Sequence, residues 1–161
     1  MEILKLPDPH LFIPTQEVTV FGPELKTLLD SMWETMIKAN GVGLSSNQVG
    51  LSHSMFTMMG PNNEQFYIVN PRVLSKSQYP TSLKEGCLSS PGEFLIVPDR
   101  PSWVQLQYQD EKGVGHTKVF HDLYSVCVVH EIEHLEGKSF LMSPSISKSK
   151  RKELYKKWNL K

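Results

Sequence analysis

With 161 residues, 39% of them hydrophobic and 21% charged, and a formal net charge of zero, the chain carries enough apolar material for one compact domain and too much for a disordered one. No apolar run approaches the ~20 residues that cross a bilayer, and the opening MEILKLPDPH sets acids and prolines where a secretory leader would be apolar. A cytosolic address is therefore expected, with Cys87 and Cys127 as free thiols, at least one of them with a chemical task, rather than a disulfide.

Taken in chain order, the first clear element is a helix over 23–40. Leu25, Leu28, Leu29, Met32, Trp33, Met36 and Ile37 repeat at the helical period, with Pro23 in the first turn and Gly41 just past the end. Short strands follow at 53–59, 65–70, 72–74, 94–97, 103–109 and 116–120, separated by Gly, Pro and Asn. Residues 110–113 read as the hairpin loop between the last two. A second helix is expected over about 123–136, with Asp122 as N-cap and Gly137 as its stop. It places Leu123, Val126, Cys127, His130 and His134 on one face.

A third helix is expected from Lys148 to Trp158, capped by Ser147, with Leu154, Tyr155 and Trp158 as a thin apolar stripe. This end is basic. Residues 148–161 hold seven Lys and Arg against one acid, so a tail of +6 follows a body of −6. The order helix, strands, helix, helix implies a single α+β domain over residues 1–161. Mainly antiparallel sheet would pack around the second helix, with the short basic helix from about 147 at the end.

The sharpest motif lies on that second helix. His130-Glu131-Ile132-Glu133-His134 is an H-E-x-x-H pattern. Two imidazoles one turn apart on one face can grip one cation, and Glu131 beside them can reach a water at that cation. The bland alternative is a solvated helix with two incidental histidines. It is weakened because the face they share is otherwise apolar. A catalytic site of this kind needs a third protein ligand. Cys127 lies seven residues before His134, about 10 Å along the helix axis, too far to converge on one ion; it reads as a small apolar residue of the core or pocket wall. Cys87, in Glu85-Gly86-Cys87-Leu88-Ser89, is left as the third ligand, against the alternative of a buried structural thiol.

Together with Gly41-Val42-Gly43-Leu44-Ser45-Ser46-Asn47-Gln48, these motifs resemble the peptide deformylase family. That family shows G-x-G-L-A-A-x-Q, E-G-C-L-S and H-E-x-D-H-L in the same order, and the resemblance extends over nearly the whole chain. It implies that Cys87, His130 and His134 hold one divalent metal ion, Fe2+ first, with Zn2+, Ni2+ or Co2+ as substitutes. It also implies that Glu131 is the general acid/base, and that Gln48 and the backbone N–H of Leu88 stabilise the oxyanion. The implied substrate is the formyl-methionine end of a new polypeptide, extended along Gly41–Gly43. Val42, Gly43, Glu85, Leu123, Val126 and Cys127 are implied to line its path and the methionine pocket. Some family members dock on ribosomal RNA through a C-terminal helix, which the basic tail here could match.

The chain departs from the family pattern at several places. Ser45 and Ser46 replace two alanines and add hydroxyls that need partners if buried. Glu133 replaces the usual Asp and can shift the contacts that orient the ligands. Phe94 and Asp99 stand in a stretch where many bacterial members carry arginines, so preference beyond methionine is open. Two other functions remain to be separated from deformylation. A general H-E-x-x-H metallopeptidase would cleave internal peptide bonds, and a catalytically dead homologue would only bind nascent chains or ribosomes.

Overall fold

The computed structural model describes residues 1–161. Helix α1 spans Pro23–Lys38 and buries Leu25, Leu29, Met32 and Met36. Its end differs from expectation in one respect. Asn40, not Gly41, takes the left-handed position (φ 55°), and the N–H groups of Asn40 and Gly41 close on the carbonyls of Ile37 and Met36. Gly41 is instead crowded, since a Cβ there would lie 2.7 Å from Leu88 Cδ1 and that side chain would have to shift.

Strands β1 (Gly43–Ser45), β2 (Met55–Met59), β3 (Gln65–Lys76), β6 (Trp103–Gln109) and β7 (Gly115–His121) form an antiparallel sheet in the order β1-β2-β3-β6-β7. Between β3 and β6 in the chain, β4 (Lys84–Cys87) and β5 (Ser90–Ile96) make a separate hairpin. The expected strands at 65–70 and 72–74 are one strand. Pro71 does not end it because it falls in a bulge between Val69 and Arg72, where no ladder donor is needed. Neither β1 nor β4 was expected as a strand.

Alternation along β2 and β3 explains where the helices sit. Phe56, Met58, Phe66 and Ile68 turn to one face, packing with Val104, Leu106 and Phe120 against Cys127, Val128 and Leu135 of helix α2 (Asp122–Leu135). Met55 and Val69 turn to the other face, against α1. The central strands thus lie between two helices, which is why β2 is buried from Met55 to Met58 without alternation, Thr57 included. A third cluster joins Leu6 and Leu11 of the N-terminal segment to Val97, Phe140, Leu141 and Leu154, with Cys87 and Leu95 packed against it.

Asp122 does not cap α2. It is the helix's first residue, at φ 49°, its N–H donates to Ser102 O at 2.8 Å, and His121 precedes it in extended form. The C-terminus is as expected. Gly137 is left-handed (φ 72°), and the N–H groups of Gly137 and Lys138 bond back to His134 O and Glu133 O. Helix α3 spans Lys148–Lys157, and the Ser147 hydroxyl accepts from the Lys150 N–H. Leu154 is its one fully buried residue. The tail's charges are not all free, because Lys157 pairs with Glu93 and Lys150 with Glu153.

Candidate metal centre and active site

Helix α2 carries His130 and His134 on its buried face, and Cys87 ends β4 where the hairpin turns through Leu88 and Ser89. The fold brings these distant segments together. One ligand atom from each of Cys87, His130 and His134 lies within 4.8 Å of the others, and Cys87 Sγ is 3.1 Å from His134 Nε2. Burial pushes the Cys87 thiol up, but the His134 and His130 rings outweigh it and hold the thiol well below its ordinary range. Gln48 Nε2 and the Ser89 N–H also point at the sulfur, each at 3.4 Å. A site so biased toward thiolate, with two imidazoles, is a donor set for a borderline or soft divalent ion.

Cys127 differs in every respect. Burial, then the nearby Glu131 and Glu85 carboxylates, raise its thiol well above the ordinary range. It belongs to the core cluster between α2 and the sheet, and its sulfur faces Gly43.

The ring of His130 is fixed from behind. Its Nδ1 lies 2.6 Å from Glu85 Oε2, which leaves Nε2 as the nitrogen free to coordinate. Glu85 in turn accepts from Arg100 Nε at 2.6 Å and from an Arg100 terminal nitrogen at 3.0 Å. Arg100 reaches on to both oxygens of Glu133, at 2.7 and 2.8 Å. Glu85 borders the cavity as expected, but its carboxylate is spent on His130 and Arg100. Glu133, the longer substitute for Asp, closes this network. Arg100 is 2% exposed and was not anticipated. Nothing in Pro98-Asp99-Arg100-Pro101 signals burial, and only the folded chain sets it between two carboxylates.

Glu131 points to the other side of the cluster. Its Oε2 is buried with no hydrogen-bond partner, as is His134 Nδ1. Burial pushes the Glu131 carboxyl up to about 6, with the two histidine rings opposing the rise. The carboxylate fits against β1 because residue 43 has no side chain. A Cβ on Gly43 would overlap Glu131 Oε1 and lie 2.7 Å from Cys127 Sγ.

Gln48 sits in a single 3₁₀ turn after β1 and is buried. Its Oε1 accepts from the Ser45 N–H and lies within 3.0 Å of the Ser45 hydroxyl. Its Nε2 donates to Ser89 Oγ at 3.0 Å and faces Cys87. The amide orientation is thereby set, nitrogen toward the cluster. Both substituted serines find partners: Ser45 with Gln48 and Asn47, Ser46 with the His53 carbonyl. Asn47 donates to the His134 carbonyl and so holds the helix end carrying that ligand. The Leu88 N–H donates to no group of the chain.

A cavity of about 550 Å³ opens over this cluster. Val42, Gly43, Glu85, Leu123, Val126 and Cys127 all line it, as do Gln48, Cys87, Leu88, His130 and Glu131. His134 lies behind it. β1 is the sheet's outer strand. Because the Met59 N–H bonds to Val42 O, the facing residues Gly43 and Met58 form a non-hydrogen-bonded pair. The N–H and C=O of Gly43 therefore turn to the open edge.

Residues 1–152 match the family model described as polypeptide deformylase. A peptide deformylase of Phenylobacterium zucineum is 36% identical over 160 residues, covering 97% of this chain and 93% of its own. Among solved structures, peptide deformylase from Ehrlichia chaffeensis superposes with a TM-score of 0.90 at 32% identity, covering 99% of this chain and 94% of that one. The Thermus thermophilus enzyme gives 0.88 at 32%, covering 96% and 90%.

Proposed function

This chain belongs to the polypeptide deformylase family, and from that premise we propose which of its residues carry out the reaction. It is a metal-dependent hydrolase that removes the formyl group from the amino terminus of newly made polypeptides and releases formate.

Cys87, His130 and His134 would hold the ion, and the meeting of their three ligand atoms beside an unpartnered Glu131 oxygen is the observation that carries this reading. When bound, the ion supplies Lewis acidity, making water a stronger acid and a carbonyl more electrophilic. Ferrous iron is our choice, with zinc, nickel and cobalt also suited to two nitrogens and one sulfur.

Glu131 takes the proton of the water that adds to the formyl carbon, at the free Oε2, and returns it to the departing amine nitrogen. Its burial favours the protonated form, which suits a group that must hold the proton between the two steps. Gln48 Nε2 and the Leu88 N–H donate to the formyl oxygen as it becomes negative; loss of one such donor costs about 3 kcal/mol of barrier. Glu85 and Arg100 hold the His130 ring in place. The substrate backbone pairs with the open edge at Gly43, as an added strand. Its methionine side chain enters the cavity between Val42, Val126 and Cys127, whose apolar surface suits a flexible thioether.

The exposed lysines of the tail, Lys148, Lys152, Lys156 and Lys161, are suited to ribosomal RNA, and such contact would weaken with salt. No helix is long and apolar enough to cross a membrane, and we place the chain, as a single catalytic domain, in the compartment where nascent polypeptides emerge.

The test is formate release from a formyl-methionyl peptide by protein purified without air and reloaded with each metal in turn. Formate from that peptide, with internal peptide bonds left intact, is expected. Cleavage of unformylated peptides would instead mark a general metallopeptidase.

A further inference from the structure

The tight turn between β4 and β5 carries the Leu88 N–H and the backbone next to the Cys87 sulfur, and a lysine from the other end of the chain grips it. Cys87 and Ser90 pair across the hairpin, so Leu88 and Ser89 are the central residues of the turn. The peptide between two such residues is the one whose rotation distinguishes one turn type from another. Here it is held at both ends. Its N–H, on Ser89, points at Cys87 Sγ at 3.4 Å. Its carbonyl, on Leu88, accepts from Lys5 Nζ and from no other donor of the chain. A trans peptide sends its N–H and C=O to opposite sides, so a grip on the oxygen aims the N–H at the sulfur.

Lys5 is exposed, and the ordinary reading of an exposed lysine is a solvated charge with an incidental contact. Its setting argues otherwise. The residues on either side are tied to the two segments that bear the oxyanion donors. The Leu4 N–H bonds to Gln48 O at 2.8 Å, and the Leu6 N–H bonds to Ser89 O at 2.9 Å. Leu4 and Leu6 also pack into the third apolar cluster. Residue 5, between them, turns the other way and lines the cavity. Lys5 pairs with no carboxylate; the Leu88 carbonyl is its one hydrogen-bond partner. The lysine stem is therefore seated by its own backbone, and its ammonium is spent on one oxygen.

We propose that Lys5 is a positioning residue, acting through the Leu88–Ser89 peptide. Its ammonium keeps the Ser89 N–H on the Cys87 thiolate and leaves the neighbouring Leu88 N–H free for the formyl oxygen. Hydrogen bonding at a ligating sulfur tunes the ion it binds. This rests on the metal-centre and deformylase reading above and adds to that machinery a residue of the N-terminal segment.

The experiment compares the cobalt-loaded native chain with Lys5→Met, which keeps the stem without a donor, Lys5→Gln, whose amide is one bond shorter, and Lys5→Arg, which can still donate. Two properties are measured: the position of the sulfur-to-cobalt charge-transfer absorption, and kcat and KM for formate release from a formyl-methionyl peptide. Lys5→Met should move the absorption to longer wavelength, because the sulfur loses an aligned donor. It should lower kcat about 10-fold with KM within about 2-fold of native. Lys5→Arg should bring both properties back toward native. If Lys5→Met does not fold, Lys5→Gln carries the test, with changes in the same direction. An absorption that stays in place in a folded variant, whatever its melting temperature, would show that Lys5 only fastens the N-terminal segment, and would overturn the proposal. So would a rise in KM alone, which would put Lys5 on the substrate. Native protein that binds cobalt with no sulfur absorption and releases no formate would sink the metal-centre reading itself, and the proposal with it.

Discussion

Replacing Arg100 with methionine tests the support behind the metal cluster. The side chain is buried and makes four hydrogen bonds, two to each carboxylate of Glu85 and Glu133. Methionine fills much of the same volume but leaves Glu85, 6% exposed, with His130 as its one remaining partner. Breaking a buried ion pair from one side costs about 3–5 kcal/mol. For a chain of this length each kcal/mol shifts the melting temperature by roughly 2–4 °C, so a drop of roughly 10 °C is expected. The loss should also loosen His130 and weaken metal affinity by about 10- to 100-fold. Arg100→Lys keeps the charge but not the two-pronged geometry, and should fall between. The pH dependence has a definite sign. Burial raises Glu85, but its bonds to His130 and Arg100 win and hold it below its ordinary value of 4.5. Its stabilisation is therefore complete above that value and is lost as pH falls through the lower folded value. In Arg100→Met the loss should begin at a higher pH. Melting curves across pH, with elemental analysis after dialysis, measure both effects. A variant that melts within a degree or two of the native protein and keeps its metal would refute the reasoning.

Three further outcomes are expected. Glu131→Gln should retain metal by elemental analysis yet lose nearly all formate release; an unaffected rate would show the proton is handled elsewhere. Gly43→Ala should lower kcat at least tenfold while the fold survives by circular dichroism, because the added methyl displaces the Glu131 carboxylate by overlap; near-native turnover would mean that carboxylate has no fixed seat. Truncation before Lys148 should destabilise the protein by about 2–5 kcal/mol, since it strips Leu154 from the third cluster. Ribosome contact is therefore better tested with Lys148, Lys152 and Lys156 changed to Glu in the full chain. Co-sedimentation equal to the native protein across a salt series would end the docking idea.

Much of this site could be read from the chain because its strongest parts are local. The i, i+4 histidines, Glu131 between them and Gly137 at the helix end belong to one helix, so spacing alone sets their relation. Long periodic stretches such as α1, and the alternating β6, were legible for the same reason. What escaped is set by distant partners. β1 and β4 are three and four residues long and contain glycines that serve close approach, so neither carries an alternating pattern. β3 runs through Pro71 because a bulge forgives the missing donor. Asp122 has the composition of an N-cap, but its backbone is claimed by Ser102 across the hairpin end. Arg100 is the clearest case. Residues 85, 100 and 133 meet only after the hairpin folds onto α2, and a buried arginine in a Pro-flanked loop looks, in sequence, like any surface charge. Glu133 could be recognised as a departure but not as the group that answers Arg100.

The most direct test is X-ray absorption at the metal edge on protein that is actively releasing formate from a formyl-methionyl peptide. One sulfur and two imidazole nitrogens at the ion, with the sulfur signal and the activity both lost in Cys87→Ala, is the expected result. An ion bound with equal occupancy and no sulfur scatterer, in enzyme that still turns over, would contradict the assignment of Cys87, His130 and His134 as the metal centre.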